Sequence, residues 1–168
     1  MTDNIPSPSP ATPPQASPPP ATAAVTPPSS NPPTPNVSSQ PSSITAKILL
    51  LVEDDPLLIK MYQTKFSAEG FEVYTATDGE AGLKLARSQH PDIIVLDIMM
   101  PKLDGIEVLR AIRQDNTLKS VPVLMLSNLS ELAKQKEAME LGAKEFLVKA
   151  NLTPTEVVSK IKQHLSLS

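Results

Sequence analysis

The sequence has no cysteine and no tryptophan, only five glycines, and an aromatic content of 3%. The absence of cysteine excludes disulfides and thiol chemistry and agrees with a reducing compartment. A strong charge of one sign is also missing: 15 basic against 18 acidic residues give a net charge of −3. With no basic stripe and no arginine cluster, nucleic-acid binding has no electrostatic footprint. No apolar run approaches the roughly 20 residues that cross a bilayer. The N-terminus, MTDNIPSPSP, lacks both the basic start and the apolar run of a signal peptide. The expected location is therefore cytoplasmic, with no membrane insertion.

What is present is unevenly spread. Of 19 prolines, 14 lie between Pro6 and Pro41, and the first 46 residues hold one charged side chain, Asp3, and no aromatic. Such a segment buries too little apolar surface to offset the entropy of ordering it. Residues 1–45 are expected to be a disordered Pro/Ser/Ala/Thr-rich arm that acts as a polyproline-type spacer. The P-x-x-P spacings at 10–13 and 32–35 suit an aromatic-lined groove, but no Arg or Lys flanks them, which favours the plain spacer.

Residues 46–168 form the expected domain, and the 122 residues from Lys47 onward suffice for one core. KILLLV (47–52), FEVYTA (71–76), DIIVLD (92–97), VPVLML (121–126) and AKEFLV (143–148) read as strands, several of them short continuous apolar runs of the kind covered on both faces. Between them lie helical stretches. Pro56 opens one that runs to about Glu69, with apolar positions at Leu57, Leu58, Met61, Tyr62 and Phe66, and Gly70 ends it. Asp78 caps a helix over 79–89; others cover about 106–114 and 129–141, and a last one starts near Thr153–Pro154. Single helices between strands imply parallel pairing by right-handed crossovers, hence an α/β (βα)5 doubly wound five-stranded sheet. The flavodoxin-like order 2-1-3-4-5 is one of two common solutions, and periodicity alone does not choose it over a circular alternative.

In a parallel sheet the residues just after each strand share one edge. Those residues are Glu53, Asp54 and Asp55 after the first strand, Asp97 after the third, Ser127 after the fourth and Lys149 after the fifth. Clustered carboxylates repel and need a cation, and an oxygen-only set suits Mg²⁺, with Mn²⁺ as a substitute, rather than zinc. A lysine and a hydroxyl at the same edge would help hold the oxygens of a phosphoryl group. An acyl phosphate needs a carboxylate nucleophile, and Asp97 is the best candidate because it ends the most buried strand. Taken singly, each group has a plainer role: Asp97 as a turn residue, the acidic triplet at a helix N-terminus, Lys149 as a surface lysine. The chemistry rests on their sharing an edge.

The segments ILLLVEDDPLL, DIIVLDIMMPKLDG, LMLS and FLVK, in this order and spacing, resemble the receiver domains of bacterial two-component response regulators, here of the single-domain type. The resemblance covers about 47–166 and implies roles by position. Glu53 and Asp54 would bind or orient Mg²⁺; Asp97 would bind the metal and accept the phosphoryl group; the backbone carbonyl of Met99 would complete the protein ligands. Ser127 would bond a phosphoryl oxygen, Lys149 would pair with it, and Phe146 would be the rotating aromatic of the switch. The implied donor is a histidine kinase or phosphotransfer protein. The chain would assist its own phosphorylation and dephosphorylation without being an enzyme in the usual sense.

The sequence departs from the family's pattern at three places. Ala150 follows Lys149 where the family usually has proline, often after a cis bond; a cis bond to alanine costs roughly 2.5–4 kcal/mol. Asn128 stands where the family generally has a small residue, and Phe146 carries no hydroxyl. Met99 and Leu129 are expected to flank the site and to screen an acyl phosphate from water. His90 and His164 read as surface histidines. The chain ends soon after the last helix, so output is expected through the receiver's own surface. By resemblance that surface is the helix 4–strand 5–helix 5 face, where Lys134, Lys136, Glu137 and Lys144 lie beside Ala133 and Leu141, as a dock for a downstream protein target or a phosphorylation-dependent homodimer. The alternative reading is a phosphorylation-independent protein-binding module on the same fold. An aspartyl-intermediate phosphatase would need a D-x-D pattern, and the segment at Asp97 reads DIM.

Overall fold

The computed structural model describes residues 46–128 and 132–167. The Pro-rich arm, its P-x-x-P spacings and Leu129 lie outside the described residues. Five strands, β1 (Ile48–Val52), β2 (Glu72–Ala76), β3 (Ile93–Leu96), β4 (Val123–Ser127) and β5 (Glu145–Val148), form one parallel sheet in the order β2-β1-β3-β4-β5. The helices are α1 (Pro56–Ala68), α2 (Gly79–Gln89), α3 (Gly105–Gln114), α4 (Leu132–Glu140) and α5 (Pro154–His164). The doubly wound order is thus the one adopted, and the circular alternative is excluded.

The apolar strand runs work because successive side chains leave opposite faces of a strand. Leu50, Val52, Ile94 and Leu96 enter one core with residues of α2, α3 and α4, such as Ala86, Leu109 and Ala138. Their neighbours Leu49, Leu51, Ile93 and Val95 enter the other, with Tyr62 and Phe66 of α1 and Val157, Val158 and Ile161 of α5. A sheet covered on both faces leaves its carboxyl edge as the place for a site.

Local chemistry sets the helix ends. Asp55 caps α1 by accepting from the amides of Leu57 (2.8 Å) and Leu58 (3.3 Å), and Asp78 caps α2 through Ala81. Asp104 with Glu107, and Thr153 with Glu156, are reciprocal capping boxes at α3 and α5. Gly70 (φ 91°) and Gly142 (φ 93°) follow α1 and α4 in the left-handed conformation that glycine adopts without penalty.

Several boundaries differ from the sequence expectation. Phe71, Val121, Pro122, Ala143 and Lys144 precede their strands, and Ser127 is the last residue of β4 rather than a loop residue after it. Leu57 and Met61 were expected on the apolar face of α1, yet they are 77% and 40% exposed. The stripe of Tyr62 and Phe66 already fills the space beneath the helix, and their rings stack at 5.5 Å. His164 is half-buried and bonded to Glu145 at 2.8 Å, so it is not the free surface residue that was expected; His90 is exposed, with φ 48° at the end of α2. Leu141 packs against the core, whereas Ala133 is exposed as expected, and the large exposed apolar side chains of α4 are Leu132 and Met139.

Candidate functional site

The register of the central strands brings the acids together. Val52 pairs with Leu96, so Glu53 and Asp97 emerge side by side, each tied by its own amide to the sheet: Glu53 to Ala76 O (3.0 Å) and Asp97 to Val52 O (2.9 Å). Ser127 pairs with Val148, which sets Lys149 one residue further along the same edge. Asp54 follows Glu53 at the start of the β1–α1 loop and is exposed, whereas Glu53, Asp97 and Ser127 are buried. Glu53, Asp54, Asp55, Leu58, Asp97, Met99, Ser127, Asn128 and Lys149 line one open cleft of about 300 Å³. Larger hollows lie between α3 and α4 and along α2, but chemistry selects this one: among the described residues, only here do three acids bring oxygens within 4.8 Å of one another.

The Asp97 carboxylate is held from both sides. Its Oδ1 accepts from the amides of Ile98 (2.6 Å) and Met99 (3.2 Å), and its Oδ2 accepts from Lys149 Nζ at 2.6 Å. The same ammonium donates to Glu53 Oε2 at 2.5 Å, and Glu53 Oε1 takes the Asp55 amide at 3.4 Å. Lys149 thus sits between two carboxylates with its side chain only 6% exposed. Burial pushes the Glu53 carboxyl up from its ordinary value, and the hydrogen bond and charge of Lys149 only partly offset that. Burial also pulls the Lys149 ammonium down, but bonds to Asp97 and Glu53 more than reverse it, leaving it above its ordinary value. The Lys149 ammonium is thus held between the two carboxylates at the floor of the cleft.

The tight approach of the following loop fixes this arrangement. Gly105 N donates to Ile98 O at 3.0 Å, and a Cβ at Gly105 would collide with the Asp97 carbonyl, so only glycine lets α3 start this close to the acceptor strand. No described peptide bond is cis. The Lys149–Ala150 bond is therefore trans and opens a 3₁₀ turn (Lys149–Asn151), and the lysine still reaches Asp97 without the family's usual proline. Met99 is 57% exposed at the cleft's rim, and Asn128 is an exposed lining residue. Phe146 is not brought into the cleft; it is half-buried against the core beside Met125. One residue the sequence reading did not place in the site lines its wall, Leu58, and Lys102, in the loop that leaves Asp97, forms an ion pair of 2.7 Å with Asp78.

The oxygen-only set Glu53, Asp54 and Asp97, one of them exposed and all within reach of one point, fits Mg²⁺ better than any softer metal. An open doubly wound sheet with buried acids, a lysine and a hydroxyl at its carboxyl edge is the arrangement of a Mg²⁺-binding phosphoacceptor domain. The profile of the response regulator receiver domain matches residues 49–162, and the chain belongs to that family. A probable transcriptional regulator, ycf27, of Guillardia theta is 40% identical over 118 residues, spanning 70% of this chain and 45% of that protein. The alkaline phosphatase synthesis transcriptional regulatory protein PhoP of Bacillus subtilis is 39% identical over 122 residues, 73% of this chain and 50% of that one. The chain thus spans about half the length of the curated relatives it matches. Among solved structures, chemotaxis protein CheY4 of Vibrio cholerae superposes with a TM-score of 0.66 at 30% identity, covering 70% of this chain and 98% of that one. A chain of the CheX–CheY–BeF3–Mg²⁺ complex of Borrelia burgdorferi gives 0.65 at 33% identity, covering 71% and 89%. Among the described residues no helix is long and apolar enough to cross a membrane.

Proposed function

We propose that this chain takes a phosphoryl group onto Asp97 from a histidine kinase or phosphotransfer protein and signals through its own surface. The observation that carries this reading is the buried Asp97 carboxylate, clamped between two backbone amides and the Lys149 ammonium on the floor of an open acidic cleft. The similar chain solved with BeF3 and Mg²⁺ supports the same chemistry here.

Asp54, Asp97 and the Met99 carbonyl would hold Mg²⁺, with Glu53 orienting it. When bound, the metal neutralises the acid cluster and stabilises charge on the transferring oxygens. The protein's own part is positional. The Ile98 and Met99 amides stop the Asp97 carboxylate from rotating, so one of its oxygens attacks phosphorus in line. An O–P bond forms as the donor's N–P bond breaks, and the leaving imidazole nitrogen keeps the electron pair and gains a proton. Lys149 turns from the Asp97 carboxylate to the incoming phosphoryl oxygens, and Ser127 offers its hydroxyl to another. Phe146, half-buried on β5, answers by ring burial alone. The output surface is the α4–β5–α5 face, where Leu132 is 80% and Met139 44% exposed beside the charged Lys136 and Lys144, for a downstream protein or a second phosphorylated copy.

The test is uptake from a small phosphodonor such as acetyl phosphate, read by intact mass, with Mg²⁺ and with EDTA, beside Asp97→Asn. One phosphoryl group on the parent in Mg²⁺ alone is expected. No uptake from acetyl phosphate or a cognate kinase by a folded, Mg²⁺-binding protein would overturn the proposal in favour of a phosphorylation-independent binding module.

A further inference from the structure

The β3–α3 loop, residues 97–104, leaves Asp97 and returns to it, since the Gly105 amide bonds to Ile98 O and the Gly105 backbone lies against the Asp97 carbonyl. Its near end holds the acceptor carboxylate through two amides. Its far end carries Lys102 at φ 69°, a left-handed conformation that costs any residue with a Cβ and persists only where the surroundings enforce it. The backbone turn has a local cause, since the Leu103 amide donates to Pro101 O at 2.9 Å and closes a γ-turn on Lys102, and the lysine side chain is held at the N-terminus of α2. Lys102 Nζ meets Asp78 Oδ2 at 2.7 Å, while Asp78 Oδ1 accepts the Ala81 amide as the helix cap. Asp78 is only 8% exposed, and Gly79 beside it packs so closely under Leu103 that a Cβ would strike the Leu103 carbonyl. The bond from Lys102 holds the Asp78 carboxyl below its ordinary range, and the bond to Asp78 raises the Lys102 ammonium above its own.

We propose that Lys102 and Asp78 are a positioning pair that latches the β3–α3 loop to the N-terminus of α2 and so sets the place of the Met99 backbone among the Mg²⁺ donors. The inference rests on the functional reading given above, because it concerns how that site is held. Lys102 is exposed and touches neither donor group nor acceptor, and an ion pair whose lysine lies in solvent adds only modestly to global stability. Its effect is local: a short loop pinned at both ends cannot let Met99 drift, and one released at Lys102 can.

Electrostatics predicts the opposite sign, which makes the inference testable. Removing a lysine near a cation site lessens repulsion and by charge alone tightens Mg²⁺; losing a latch weakens it. The full chain, Lys102→Met and Lys102→Arg are titrated with Mg²⁺ and followed by amide chemical shifts, with hydrogen exchange of residues 98–105 measured separately in EDTA. The expected result is at least about threefold weaker Mg²⁺ binding and faster loop exchange in Lys102→Met, with Lys102→Arg near the parent and thermal unfolding unmoved. Unchanged or tighter Mg²⁺ binding in Lys102→Met overturns the latch. A parent that binds no Mg²⁺ overturns the functional reading instead, and unchanged hydrogen exchange would then overturn the latch independently.

Discussion

Replacing Lys149 with methionine removes the one ammonium between two buried carboxylates. Glu53 and Asp97 are 1% and 5% exposed, and each bonds to Lys149 Nζ, at 2.5 and 2.6 Å. Methionine fills similar volume, so the loss is electrostatic rather than a cavity. Breaking a buried pair by deleting one partner costs about 3 kcal/mol or more, because the remaining charge stays buried. For a domain of this size that is a fall of roughly 10 °C in Tm. The pH dependence has a definite sign. The Glu53 carboxyl already sits above its ordinary 4.5 through burial, and losing the lysine's bond and charge raises it further. A carboxyl raised in the folded state binds protons more tightly there, so stability falls as pH rises from the unfolded value through the folded one. The deficit of Lys149→Met should therefore be large at pH 7 and shrink toward pH 5. Lys149 itself, raised above 10.5, gives the parent stability that is present below that pH and lost as pH rises through the folded value; the variant lacks this alkaline loss. Urea unfolding followed by far-UV circular dichroism in EDTA measures these differences. Glu53→Gln added to Lys149→Met should recover much of the deficit, and so should Mg²⁺. Equal stability of parent and Lys149→Met at pH 7 in EDTA would refute the reasoning.

Two further outcomes follow from the same geometry. Asp54→Asn removes an exposed carboxylate from the donor set and should weaken Mg²⁺ binding roughly tenfold or more, while leaving urea stability in EDTA unchanged or slightly raised through relief of acidic repulsion. Replacing Met99, which is 57% exposed at the rim, together with Leu129 by polar residues should shorten the life of the phosphorylated protein, read by loss of phosphate after donor removal. A dephosphorylation rate equal to the parent's would show that neither side chain screens the acyl phosphate.

The strands, the acids at one edge and some helix caps were legible in the sequence because each depends on local pattern, whereas the strand order was left between two solutions and only the pairing of the strands decides it. Continuous apolar runs such as ILLLV mark strands covered on two faces, and Asp55, Asp78 and Thr153 sit where a first helical turn needs an acceptor. Glu53, Asp54, Asp97 and Lys149 could be grouped because parallel strands end together. Less legible was anything that depended on how a helix is rolled against the sheet. The apolar positions of α1 include Leu57 and Met61, but two aromatic rings take the buried stripe and turn those two outward. The place of Lys149 after a non-proline bond was likewise settled by the 3₁₀ turn, which carries its Nζ to Asp97. The Lys102–Asp78 pair joins residues 24 apart through a left-handed lysine, and no periodicity or motif in the sequence signals it.

The most direct test of the central claim is where the phosphoryl group goes. The parent is phosphorylated with Mg²⁺ and acetyl phosphate, the acyl phosphate is trapped by borohydride reduction to a stable homoserine, and the converted residue is located by tandem mass spectrometry. The account predicts conversion at Asp97 alone. Conversion at another acidic residue, with Asp97 intact, would contradict it.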